Sequence, residues 1–211
     1  MYSFLSKLLM SGKLKFNEGR ITAFNQPFSL VPMVSIKAMT DDAVDGGIRS
    51  ISQLYFYGWI YGYEVTKELE AMFNLKKFEE RYQISMQVAS MVGFGDFKTS
   101  SFERGKLADF RVLKNPFALQ YYKSNNLVCH YLRGMEAGGG TIVHETIMNN
   151  IEFECTCNNG EFCHHKNLSM EKLNEVDKKL VDSQLDLNYL LDLEKKYVVK
   201  AGDSFTLDAD Y

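Results

Sequence analysis

Proline is scarce in this chain of 211 residues: there are three, beside fifteen glycines. That excludes collagen-like and proline-rich character. No apolar stretch runs much beyond about ten residues, and a membrane-spanning helix needs ~20. No membrane span is therefore expected. The first ten residues are apolar with Lys7 among them, but they lack a basic leading segment and a small-residue cleavage site. No signal peptide is expected, and a cytoplasmic location is the default. Clustered basic charge is missing too: 24 basic residues face 27 acidic ones, for a net charge of −3. Direct nucleic-acid binding is not expected from such a balance. The charge is uneven, with seven basic against ten acidic residues from Lys166 onward and 17 of each before it.

The motifs of common enzymes are also missing. No GxGxxG follows a strand, and no serine lies in a GxSxG setting. Gly138-Gly139-Gly140-Thr141 lacks the lysine and spacing of a phosphate loop. His144 beside Glu145 could be an acid–base pair, but a surface helix position is the preferred reading. No catalytic constellation emerges, so the chain is expected not to be an enzyme.

What is present is an ordinary globular composition, 45% hydrophobic and 24% charged, in a length that suits one large domain or a domain with a tail. Apolar spacing predicts a short helix over residues 2–10 and a β-hairpin around Asn17-Glu18-Gly19. A third strand is expected at 28–31. Asp41-Asp42 and Gly46-Gly47 mark a loop. Helices are expected over Ile48–Phe73 and 77–91, then strands at 94–102 and Leu107–Leu113. Pro116 opens a short helix. Two helices, 129–136 and 141–148, are expected on either side of the glycine triplet. Segments 151–157 and 161–166 flank Asn158-Asn159-Gly160 as a hairpin. A charged final helix is expected over 169–196. The class is α+β, with an N-terminal β-hairpin, paired helices and antiparallel strands. Residues 1–167 are taken as the domain and 168–211 as a charged tail that packs on its own chain or on a partner.

Four cysteines occur, Cys129, Cys155, Cys157 and Cys163, all in the second half of the chain. Metal is preferred over disulfides for a chain of this length without a secretory signal. A three-residue turn at Asn158–Gly160 sets Cys155 opposite Cys163 and Cys157 opposite Glu161. Two facing thiolates can share a tetrahedral Zn²⁺. The remaining ligands come from a pool of Cys129, Cys157, Glu152, Glu154, His130, His144, His164 and His165. Glu152 and Cys155 are three apart, so a regular strand points them to opposite faces. Both reach one metal only if the strand bulges or ends early, and Cys157 serves as well on geometry alone.

The run Cys129-His130-Tyr131-Leu132-Arg133-Gly134, then Ala137-Gly138, then Glu152-x-x-Cys155-x7-Cys163, resembles the vinyl-4-reductase domain family. The likeness is close over about fifty residues and looser upstream. It implies a fold like that of transport protein particle subunits and a structural Zn²⁺ held by Cys129, Glu152, Cys155 and Cys163 in a zinc-bearing hairpin. It also implies a cavity for a small apolar molecule or lipid. Phenol-responsive members anchor their ligand with a His and a Trp upstream of the first zinc cysteine, whereas here no His precedes His130 and the only Trp is Trp59. His165 remains a spare ligand.

Six aromatic residues fall within residues 55–63. Tyr55, Trp59 and Tyr63 lie along one helix face, with Gly58 and Gly62 beside them. Core packing or a dimer contact is the plain reading. With Met135, these rings are also the expected lining of a ligand cavity. The function expected is a non-catalytic sensor or carrier of a small hydrophobic molecule, homodimeric, acting through a separate regulatory protein. The alternative is a scaffold of the same fold whose cavity holds a permanent lipid or is collapsed.

Overall fold

Glycines at four-residue spacing bring the two central helices together backbone to backbone. The computed structural model describes residue 6, residues 8–121 and residues 126–203. Helix α1 spans Met33–Asp45, α2 Ile48–Phe73, α3 Phe78–Met91, α4 Pro116–Leu119 and α5 His130–His144. Gly58 and Gly62 of α2 face Gly134 and Gly138 of α5. A Cβ at Gly134 would strike the Tyr55 carbonyl oxygen, and one at Gly138 would strike that of Trp59. The absence of four side chains therefore sets the helix separation.

This packing also corrects the reading of the glycine triplet. The expected pair of helices is one continuous helix, α5, running through Gly138, Gly139 and Gly140. Interior glycines cost about 1 kcal/mol each relative to alanine. Here they are accommodated because Gly138 meets Trp59, Gly139 meets Thr66 and Gly140 meets Asn167.

Two antiparallel sheets flank these helices. Strands β1 (Leu14–Asn17), β2 (Arg20–Ala23) and β3 (Gln26–Phe28) form the first, in that order. The expected hairpin is present, and the third strand comes slightly earlier than anticipated because Phe24 and Asn25, both at positive φ, make a tight turn. Strands β4 (Asp96–Glu103), β5 (Leu107–Leu113), β6 (Asn149–Glu154) and β7 (Cys163–Leu168) form the second, in the order β4-β5-β7-β6. The loop expected at Asp41-Asp42 is instead the end of α1, where Lys37 and Asp41 pair across one turn at 2.6 Å. Only Gly46-Gly47 breaks the chain there. Residues 6 and 8–10 are helical; the rest of the expected 2–10 helix lies outside the described residues. No described helix is long and apolar enough to cross a membrane.

The charged final helix is three pieces: α6 (Met170–Leu173), α7 (Lys178–Asp182) and α8 (Leu187–Lys200). Each begins at a side-chain cap. Ser169, Asp177 and Asp186 accept from the backbone N–H of Lys172, Lys179 and Tyr189. Three caps in eighteen positions divide what periodicity alone reads as continuous. The segment packs on its own chain: Leu173, Val181, Leu185, Leu190 and Val198 share a core with Tyr55, Trp59 and Tyr63.

Helix α8 also buries a carboxyl. Glu194 is fully buried, and Asn149 Nδ2 donates to its Oε2 at 3.2 Å. Burial pushes its pKa up to about 8. The folded state then binds one more proton than the unfolded chain between about pH 4.5 and 8. Glu194's contribution is full below that window and falls as pH rises through it, by about 1.4 kcal/mol per unit. Glu194→Gln is therefore expected to flatten this loss, making the variant more stable than the parent at pH 8. Denaturation midpoints of both proteins at pH 5, 6.5 and 8 test this; parallel curves would rule it out.

Candidate functional site

Three segments distant in sequence converge at one end of α5. Cys129 is the N-cap residue of α5, where the helix dipole favours negative charge. Cys163 opens β7, and Cys155 follows β6. Their sulfurs form a nearly equilateral triangle. The Sγ–Sγ distances are 3.8 Å for Cys129–Cys155, 3.8 Å for Cys129–Cys163 and 3.7 Å for Cys155–Cys163. All three side chains are buried.

Glu152 reaches the same place because β6 bulges. The β6–β7 register shifts between Glu152 and Glu154, leaving Phe153 unpaired. That bulge is the irregularity a shared site for Glu152 and Cys155 requires. The Cys129 N–H donates to Glu152 Oε2 at 3.4 Å. Glu152 Oε1 is buried with no hydrogen-bond partner. The ligating atoms of Cys129, Glu152, Cys163 and His165 all lie within 4.8 Å of one another, and this buried group could hold a metal ion.

The turn differs from the three-residue expectation. Residues Thr156–Asn158 form a 3-10 helix, with Asn159 at positive φ. Cys155 and Cys163 are neighbours as expected. Cys157, however, turns back so that its Sγ lies 3.1 Å from Cys155 Sγ and 3.3 Å from the Asn126 carbonyl. The local 3-10 hydrogen bonding overrides the simple cross-strand alignment.

The surroundings suit anionic sulfur. Asn115, fully buried, donates from Nδ2 to Cys129 Sγ at 3.1 Å and to Cys163 Sγ at 3.2 Å, while its Oδ1 caps α4. The Thr156 N–H lies 3.4 Å from Cys163 Sγ. Burial and the adjacent thiols push Cys129 well above the usual thiol range. A bound metal ion would offset the cost of negative charge buried here.

Behind Glu152 lies a buried relay. His165 Nε2 is 3.5 Å from Glu152 Oε1, and His165 Nδ1 is 2.8 Å from Glu136 Oε2. Such partners orient the groups that touch a metal. Gln184 pairs with both backbone groups of Glu152 at 2.9 Å, covering the β6 edge. Arg133, also fully buried, donates to the Asn150 carbonyl and to His130 Nδ1, each at 2.8 Å. Burial, with Arg133 beside it, lowers the His130 pKa to about 3, so His130 is a neutral acceptor.

Glu136 also borders an apolar cavity of about 50 Å³ between α2, α3, α5 and the four-stranded sheet. Tyr61, Val65, Leu69, Met86, Phe110 and Met135 supply much of its wall. Of the four residues expected to line a cavity, Met135 does so. Tyr55, Trp59 and Tyr63 lie on the side of α2 that meets the C-terminal segment, where Trp59 stacks on Tyr63 at 4.9 Å and Tyr197 packs edge-on against both. The Tyr55 hydroxyl is taken up by Asn149 and Asn150. His144, expected at the surface, is buried and accepts from the Gly105 N–H at 3.0 Å, while Glu145 pairs with Arg81 and Arg104.

Sequence reasoning missed Asn115, Glu136 and Gln184. Glu136 carried a signal, being an acidic residue in an otherwise apolar, glycine-rich helix. Asn115 and Gln184 carried none, since their roles depend on what folds against them.

No family model matches the chain, and no curated protein matches it. The resemblance read from the sequence is met at the level of the fold. The crystal structure of the phenol-responsive sensory domain of the transcription activator PoxR, with phenol, is similar at a TM-score of 0.73 and 17% identity, covering 88% of this chain and 98% of that one. A vinyl-4-reductase family protein from Methanocaldococcus jannaschii is similar at a TM-score of 0.46 and 14% identity, covering 66% and 82%. A trafficking protein particle complex subunit 3 from Naegleria fowleri, covalently bound to palmitic acid, is similar at 0.49 and 12%, covering 64% and 93%.

Proposed function

We propose that this chain is a non-catalytic sensor or carrier of a small hydrophobic molecule, built around a structural zinc ion. The observation that carries the reading is the double position of Glu136. It borders the apolar cavity and, through His165, touches the carboxylate at the sulfur triangle. The likeness to a phenol-responsive sensory domain supports the same reading at the level of fold.

The sulfur spacing supports zinc. A tetrahedral ion with Zn–S bonds of ~2.3 Å has S···S edges of about 3.8 Å, matching the edges of 3.7–3.8 Å. Glu152 supplies the fourth vertex, and His165 supports it from behind. Such a site is closed, and three thiolates with a carboxylate offset the charge that would make the metal a Lewis acid. Its work is structural, tying the start of α5 to the β6–β7 hairpin. Arg133 stands nearby as a buried positive charge facing the anionic cluster.

A sensor needs two conformations that bind the ligand unequally. The cavity wall shares α5 with both the metal centre and the glycine contact to α2, so a shift of α5 on ligand entry reaches both. Output passes to a separate regulatory protein, and the chain acts as a cytoplasmic homodimer. One observation favours the scaffold reading instead: the cavity of about 50 Å³ is smaller than the ~150 Å³ that accepts benzene. Ligand entry then requires Met86 and Met135 to move, which their flexible side chains allow.

Native mass spectrometry beside a denatured control, on protein purified without added metal, tests these points together. One zinc per subunit, two subunits and an exchangeable apolar adduct are expected. Zinc with a permanently empty cavity would favour the scaffold. Folded protein free of metal would defeat the zinc assignment.

A further inference from the structure

Among the described residues, several buried polar atoms have no hydrogen-bond partner, and Tyr82 Oη is the one whose residue lines the cavity. Buried tyrosine hydroxyls normally find a partner, and leaving one unsatisfied is costly. Two other polar side chains of the cavity wall, Asn167 and Ser85, are already engaged. Asn167 donates to the Glu136 carbonyl at 2.7 Å and accepts from Asn150 at 2.8 Å. Ser85 donates to the Arg81 carbonyl at 2.9 Å. The Tyr82 ring itself is fixed, stacked between Phe102 at 5.3 Å and Phe110 at 5.8 Å. The hydroxyl therefore stays in place whether or not a partner is present.

We infer that Tyr82 is the specificity-determining residue of the cavity, its hydroxyl donating to a hydrogen-bond acceptor on a small, uncharged, otherwise apolar ligand. The inference rests on the cavity being the ligand site. Burial raises the Tyr82 pKa well above the ordinary value, keeping the hydroxyl protonated and able to donate. Among the described residues, no Lys, Arg or His lines the cavity, so a carboxylate or phosphate buried there would find no counter-charge. The ligand class is thus a ketone, ether, ester or alcohol with an apolar body, rather than a plain hydrocarbon or a fatty acid.

The test uses two probes of nearly the same shape, cyclohexanone and methylenecyclohexane, titrated by NMR into the full-length protein and into Tyr82→Phe. The ratio of the two dissociation constants removes the difference in their transfer from water. That ratio is expected to shift by about tenfold against the ketone in Tyr82→Phe, one hydrogen bond's worth. Cyclohexanecarboxylate is expected to bind neither protein. Without ligand, Tyr82→Phe should melt at or above the parent temperature, because the hydroxyl it loses has no protein partner. An unchanged ratio would overturn the role of Tyr82 while leaving the cavity as a ligand site. Binding of neither neutral probe to either protein would overturn both. Carboxylate binding as tight as the ketone's would overturn the exclusion of anions. A marked fall in melting temperature would show the hydroxyl serving the fold instead.

Discussion

Cys155→Ser is expected to abolish stoichiometric metal binding and to destabilise the fold by about 3–5 kcal/mol. A serine hydroxyl does not ionise near neutral pH and is a poor zinc ligand. Its loss opens one corner of a triangle whose edges are 3.7–3.8 Å. The remaining thiols and Glu152 would then be buried without a cation. For a chain of this length the melting temperature should fall by roughly 10 °C. Cys157→Ser is the matched control. Its sulfur contacts Cys155 and the Asn126 carbonyl rather than the other two sulfurs of the triangle, so zinc should be retained and the shift should be small. Metal analysis and thermal melts on the two variants decide the matter. A stable, metal-free Cys155→Ser protein with the parent's melting profile would end the structural-zinc reading.

Gly138→Ala should be more damaging than its chemistry suggests. Helix propensity alone predicts stabilisation by about 1 kcal/mol, since alanine is the better helix former. The tertiary contact predicts the opposite sign. The added methyl would overlap the Trp59 carbonyl, a backbone atom that no side-chain rotation can move. The helices must separate or tilt, and overpacking of this kind costs about 1–3 kcal/mol or more. Net destabilisation of at least about 2 kcal/mol is expected. Because α5 carries Cys129 at its start and Met135 and Glu136 at the cavity, metal retention and probe binding should weaken with it. Equilibrium denaturation gives the sign directly. A stabilised variant would mean that the helix contact yields more easily than its backbone geometry implies.

These two sites show different degrees of legibility. The proposed ligand quartet was readable because spacing along a chain is a sequence property, and a resemblance in spacing named Cys129, Glu152, Cys155 and Cys163 without any geometry. The structure brings the three sulfurs together and sets Glu152 with Cys129, Cys163 and His165, and it supplies the bulge at Phe153 that periodicity could only state as a requirement. His165 was visible as a spare ligand; its position between Glu136 and Glu152 was not.

The ligand lining was less accessible. Helix α2 carries apolar and aromatic residues on most of its surface, so composition cannot say which side meets empty space. That depends on α3 lying against one face and α8 against another. Tyr55, Trp59 and Tyr63 meet α8 and the rest of the tail core, while Tyr61, Val65 and Leu69 face the cavity.

By itself, the sequence determined the features that local pattern dictates. These include the long helix Ile48–Phe73, strand Leu107–Leu113, the first hairpin, the α+β class and the pairing of Cys155 with Cys163, all set by periodicity, turn residues or intervals along one chain. Only the tertiary structure decided the rest. It made one helix of the glycine triplet, because the space of the missing side chains is filled by another helix's backbone. It divided the charged tail, because three capping side chains compete with helix continuation. It placed the cavity, because a void is a property of the surfaces that fail to meet, and no single segment encodes it.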